Sequence, residues 1–177
     1  MLIREHSRRM YHPWIFFLVK MLISWIFLGA VSFLVVSIYL SLCALKSSLF
    51  MHYWWYAWLG SAASCSMAYI AGASAKSIDV AITFFTLLVL PQLLFAVLLK
   101  TSQIPKWLRW NFYIMPLKWT FGSVLALEFE NNPDILNRYD YTMSDIWRYN
   151  LIAIGHLVGF AIIAMIALSW NGNPKYE

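Results

Sequence analysis

The groups that could carry out chemistry in this chain are few, and their spacing limits what chemistry is open to them. Its histidines are His6, His12, His52 and His156. None has a second histidine or a carboxylate at ligand spacing within an apolar stretch, so no metal site is expected. Glu128 and Glu130 stand two apart, as general acid and base can, but they read as part of a solvated loop with no nucleophile beside them. Cys43 and Cys65 lie at or within apolar runs and read as packed thiols. No Gly-x-x-x-x-Gly-Lys-Ser/Thr loop and no dinucleotide fingerprint occurs, so the chain brings no ATP site of its own. A net charge of +5 without a dense basic run excludes nucleic acid as a partner. Three polar placements inside apolar surroundings remain. His156, between Gly155 and Gly159, is either a group on a translocation path or, as favoured here, a neutral ring bonded to a neighbouring helix. Gln92 follows Pro91 and either lines a cavity or satisfies backbone freed by a kink. Lys76 and Asp79 read as an interfacial ion pair.

The elements holding these residues are set by composition. The chain is 62% hydrophobic and 12% charged, and a soluble domain of this size has no core that could hide so much apolar surface. An all-α integral membrane fold with four transmembrane helices and a re-entrant helical hairpin before the last is therefore expected. The first apolar stretch, residues 14–43, would measure about 45 Å as a helix against a hydrocarbon core of about 30 Å. Lys20 marks its interface. The run is too long for a cleaved signal, and no small-residue cleavage site follows a short apolar core. Residues 53–73 form the second span, opening on an expected interfacial belt of Tyr53, Trp54, Trp55, Tyr56 and Trp58 and continuing in Ala, Ser and Gly. Residues 80–99 form the third span.

Residues 100–150 form a loop whose first part, 104–127, is aromatic and twice broken by proline. Pro105 and Pro116 each suit the first turn of a short helix. Two such helices separated at Met115 can dip into the membrane and return if protein covers them. A short helix start is expected near Ser144 and Asp145, then the fourth span at 151–170 and a polar tail at 171–177. Arg4, Arg8 and Arg9 place the N-terminal segment, residues 1–13, in the cytosol, and four spans put the tail on the same side. The loop 100–150 then faces outward from the plasma membrane or an internal one.

Taken in order, these segments resemble the ABC-2 type membrane domain of G-subfamily ABC transporters, the White or pleiotropic-drug-resistance type. Arg4-Glu5, Arg8, Met10 and Tyr11 are similar to the family's cytosolic segment before its third helix. Phe95 to Leu99, then Ile104-Pro105-Lys106-Trp107, Trp110, Tyr113, Met115-Pro116-Leu117-Lys118-Trp119 and Glu128-Phe129 are similar to its fifth helix, re-entrant segment and the Glu-Phe that follows.

The resemblance implies that the four spans are helices three to six of a six-helix domain. It implies an ATP-driven exporter or floppase for lipids, sterols or amphipathic small molecules, paired with a second membrane domain as a dimer or pseudo-dimer. A nucleotide-binding domain, with its ATP and magnesium, is implied as a partner. No catalytic residue is implied in this chain, which reads as a fragment or a truncated product unable to transport alone. By position, Arg4, Glu5, Arg8, Met10 and Tyr11 would couple ATP hydrolysis to the helices. Phe84, Phe85, Leu88, Gln92 and Phe95 would face the substrate cavity, and Leu98 and Leu99 would form its outer plug. Pro105, Trp107, Trp110, Tyr113, Pro116 and Trp119 would build the re-entrant segment. The chain departs from many members at Ala96-Val97, where they carry Ser-Gly, and its outer loop holds neither cysteine nor an N-glycosylation sequon. The competing reading is a tetraspan scaffold or regulatory protein without transport activity.

Overall fold

A computed structural model describes residues 13–43, 46–75, 77–93 and 105–171. All regular structure among these residues is helical. Helix α1, Pro13–Cys43, is 31 residues of mostly Ile, Leu, Val, Phe and Trp. Its serines do not break it, because Ser24, Ser37 and Ser41 each donate to a carbonyl four residues back. After a 3₁₀ turn at Ser47–Leu49, α2 runs over Phe50–Ser74. Helix α3, Ile78–Leu93, opens on Asp79, whose charge suits a helix N-terminus, and contains Pro91 near its described end.

A second 3₁₀ turn, Lys106–Leu108, leads into α4, Arg109–Ile114. Met115 then adopts an extended backbone (φ −82°, ψ 121°), and Pro116 starts α5, Pro116–Glu128. Proline fits there because its missing N–H is one that a first turn leaves unbonded anyway. Helix α6, Pro133–Arg138, and a 3₁₀ turn at Met143–Asp145 precede α7, Ile146–Asn171. Residues 146–150 contain neither Gly nor Pro, so the helix expected to start at Leu151 begins five residues sooner, as one piece with the short helix expected before it.

Phe17–Cys43 and Met143–Ser169 are each long and apolar enough to cross a membrane, and Ile78–Pro91 is apolar but shorter. Helix α2 has the length, 25 residues, but a milder composition rich in Ala, Ser and Gly. Its position explains this. It packs against α1, α3, α5 and α7, and its small residues let those helices come close. Leu59, Ala62 and Ala63 of α2 meet Trp119 and Ala126 of α5 and Tyr149, Ala153 and Leu157 of α7 in the main core. Large apolar side chains point the other way: Ile26 (74% exposed), Phe27 (68%), Ile82 (60%) and Leu87 (65%) lie on the outside. Small residues within and large apolar ones without is the reverse of a soluble domain, and lipid or partner helices must supply the missing cover.

Cross-contacts set the helix directions. At one end, Lys46 Nζ donates to the carbonyls of Leu127 (3.4 Å) and Glu128 (2.8 Å), and Trp55 Nε1 donates to Asn150 Oδ1 (3.0 Å). At the other end, Ser24 and Tyr69 share a hydrogen bond (2.7 Å), and Phe17 and Met21 pack with Ala161 and Ala164. Helix α1 is therefore antiparallel to α2, and α7 runs parallel to α2. The polar connections at 46–49 and 129–145 gather at the first end, called here the loop end.

Candidate functional site

Helix α3 carries the first group of candidate residues. Its half-buried positions, Ala81, Phe85, Leu88 and Val89, recur at helical spacing and form the stripe by which it packs, chiefly on α2. Phe84 sits on the other flank, 44% exposed, in an open groove with Thr83 and Leu87. Phe84 therefore shares a wall with Leu87, which the sequence reading passed over, while Phe85 and Leu88 face the packed side. Gln92 lies in the last described turn of α3. Arg4, Glu5, Arg8, Met10, Tyr11, Phe95, Leu98, Leu99 and Lys76 lie outside the described residues.

The second group surrounds the Met115 break. Pro105 precedes the 3₁₀ turn containing Trp107, which is 73% exposed, and Trp110 lies in α4. Trp119 holds the two short helices together across the break, donating from Nε1 to the Tyr113 carbonyl (3.0 Å). Its ring also packs on Tyr149 of α7 (centroids 5.8 Å apart). Pro116 is fully buried. From there α5 runs alongside α2: Thr120 lies against Gly60, where an added Cβ would come within 2.8 Å of Thr120 Oγ1. Glu128, at the other end of α5, accepts a hydrogen bond from Tyr53 at the start of α2. Gly60 lies ten residues along α2 from Phe50, so α5 begins about 15 Å down the bundle and climbs back to the loop end.

Between the start of α5 and the first turns of α7 lies a cleft of about 490 Å³. Lys118 is 7% exposed at its floor, with Nζ 4.0 Å from the Tyr113 ring centre and 4.6 Å from that of Trp119. Burial pushes the lysine down to about 8, against the opposing pull of the Asp140 carboxylate. Tyr141 OH donates to the Lys118 carbonyl (3.2 Å), and burial, with Tyr149 and Asp140 close by, pushes that phenol far above its ordinary range. At the rim, Asp145 accepts from Thr142 (2.7 Å) and pairs with Arg148 (3.3 Å). Asp140 holds a left-handed backbone (φ 59°), a conformation that Asp tolerates better than most residues.

Three sequence readings change. The aromatic residues opening α2 do more than mark an interface: Trp54 donates to the Gly29 carbonyl and Trp58 to the Trp25 carbonyl (each 2.9 Å), tying α1 to α2. Glu128 is not a solvated loop carboxylate, because Tyr53 holds it against the core. His156 bonds the Ile152 carbonyl of its own helix (2.8 Å) rather than a neighbouring helix. Pairings such as Tyr53–Glu128 and Trp55–Asn150 join residues 75 and 95 positions apart, and no local pattern marks them. The cleft was missed for the same reason, since Lys118, Asp140 and Arg148 look unrelated along the chain. An apolar segment that nonetheless contains a lysine was the one available signal.

Residues 1–129 match the family model described as ABC-2 type transporter. No curated protein matches the chain.

Proposed function

This chain belongs to the ABC-2 type transporter family, and from that premise we propose that it is the membrane-domain portion of an ATP-driven exporter or floppase of the G-subfamily type. Its substrates are lipids, sterols or amphipathic small molecules. Helices α1, α2, α3 and α7 cross the membrane, with the termini in the cytosol and the loop end outside. Helices α4 and α5 are the re-entrant hairpin. The observation that carries this reading is the path of α5, which starts beside Gly60 in the body of the bundle and climbs to Tyr53 at its rim. Helix α5 has its backbone covered by α2 and α7, the condition for non-spanning structure at membrane depth.

Helix α3 supports the transport role. It is apolar, it contains Pro91, and its Phe84–Leu87 flank is uncovered, as a wall facing a cavity shared with a second membrane domain would be. The residues of this chain do not fit ATP and magnesium, because no phosphate-cradling loop is present. Hydrolysis therefore belongs to a nucleotide-binding domain supplied elsewhere in the assembly, coupled through Arg4, Glu5, Arg8, Met10 and Tyr11. Gln92 and Phe95 continue the cavity wall, and Leu98 and Leu99 close it.

Reconstitution with the nucleotide-binding domain in vesicles containing a fluorescent short-chain lipid tests the reading. ATP-dependent movement of the lipid between leaflets is expected, lowered several-fold by Phe84→Ala or Glu5→Ala. Movement that is equal with and without ATP would overturn it.

A further inference from the structure

Lys118 is a buried amine at the end of an open path. Its side chain is 7% exposed, yet it lines the floor of a cleft whose volume, about 490 Å³, lies within the range of small-molecule sites. Tyr113 of α4, Asp140 and Tyr141 of the connection after α6, Asp145 of the following 3₁₀ turn, and Arg148 and Tyr149 of α7 surround the space. Arg148 and Asp145 pair with each other at the rim, and Asp140 is the carboxylate that acts on Lys118. Two rings lie against Nζ, with centres at 4.0 and 4.6 Å. An ammonium is a compact, strongly hydrated charge, and these neighbours replace its lost water only in part. With its value near 8, about a tenth of the Lys118 amines are neutral at pH 7, against about three in ten thousand for an ordinary lysine. A neutral lysine amine is a nucleophile, and desolvation in a pocket is a common way for a protein to make one.

We propose that Lys118 is a covalent binding site for aromatic aldehydes, which condense with its Nζ to form an imine inside the cleft. The nitrogen lone pair attacks the carbonyl carbon, and the two protons of the neutral amine leave with the carbonyl oxygen as water. No oxidant or reductant is needed. The imine then takes up one proton and becomes a cation where the ammonium stood. Its charge is spread over carbon and nitrogen, and it offers one N–H instead of three, so keeping it from water costs less than burying the ammonium. The rings of Tyr113 and Trp119 still face a cation, and Asp140 remains its counter-ion. Tyr141 and Tyr149, with ring centres 5.9 Å apart in an edge-to-face arrangement, give a flat aldehyde aromatic surface to pack on. Tyr141 also donates to the Lys118 carbonyl, which fixes the backbone beneath the amine. The site uses neither ATP nor transport.

Reductive trapping on the full chain in detergent tests it, with benzaldehyde or butanal as probe, cyanoborohydride to fix the imine, and no ATP. Peptide mass spectrometry reads which lysines are labelled and how fast. At pH 7 benzaldehyde is expected to label Lys118 about tenfold faster than the exposed Lys106. The ratio of benzaldehyde to butanal labelling should be about fivefold higher at Lys118 than at Lys106. Asp140→Asn removes the carboxylate that favours the charged amine, and asparagine also suits the left-handed backbone at that position. It should speed the labelling of Lys118 about two- to fivefold at pH 7, a gain that an unfolded chain with an ordinary lysine cannot show. Lys118 labelled no faster than Lys106, equal aldehyde ratios at the two lysines, or a rate that Asp140→Asn leaves unchanged or lowers would each overturn the proposal. Because no step uses ATP, failure here leaves the transport reading standing, and loss of ATP-driven export leaves this site standing.

Discussion

Gly122 is the tightest single position among the described glycines. A Cβ there would sit 2.3 Å from Tyr141 Cε1, against a ring that is itself 3% exposed and bonded to the Lys118 carbonyl. Gly122→Ala should therefore cost about 1–3 kcal/mol through overpacking and lower the melting temperature in detergent. Gly155→Ala, where nothing lies within 4 Å of the added atom, should be neutral or stabilising by up to about 1 kcal/mol. Lys118 gives a pH prediction. Folded, it loses its proton near pH 8; unfolded, near 10.5. Between those values the unfolded chain holds more protons, so stability should rise with pH, and Lys118→Met should remove that rise. Melting curves of both proteins at pH 7.5 and 9.5 check the sign. The sequence shows a glycine and a lysine in an aromatic segment, but the partners that give them these roles, Tyr141 and Asp140, lie about twenty residues away in a loop without periodicity.

Helix α5 shows what can be read at the scale of elements. Two short helices parted at Met115 and a proline opening the second were legible, because Pro116 cannot extend a preceding helix and is well suited to begin one. The two-point attachment to α2 was not legible. It depends on Gly60 admitting Thr120 and on Tyr53 reaching Glu128, two coincidences of three-dimensional placement. Tyr53→Phe should cost about 1.5–3 kcal/mol, as expected for a bond to a charged acceptor, and should speed amide exchange across residues 125–132. Glu128→Gln keeps an acceptor for the same hydroxyl and should cost less. If the two variants exchanged alike and at the wild-type rate, the attachment would have no energetic weight. The early start of α7 was missed for a simpler reason. Hydropathy detects the apolar run, whereas a helix extends until a breaker stops it, and residues 146–150 contain none.

At the scale of the whole molecule, membrane character was legible from composition alone, and the outward-facing Ile26, Phe27, Ile82 and Leu87 show how that composition is deployed. The order of the bundle was not, since hydropathy cannot show that α2 sits among α1, α3, α5 and α7. In a background lacking Cys43 and Cys65, single cysteines at Ser77 and Asn131 should react with an impermeant thiol reagent from opposite sides of the membrane, Asn131 from outside. Labelling of both from one side would overturn the proposed four-span arrangement. The two attachments of α5 also bear on how such a domain moves. A rod pinned at both ends to α2 and wedged by Trp119 against α7 cannot swing like a flap, so opening the loop end must carry α2, α5 and α7 as one block. Helix α3, held mainly by a single stripe, is then the part free to slide past that block, and it carries Phe84 and Leu87 with it.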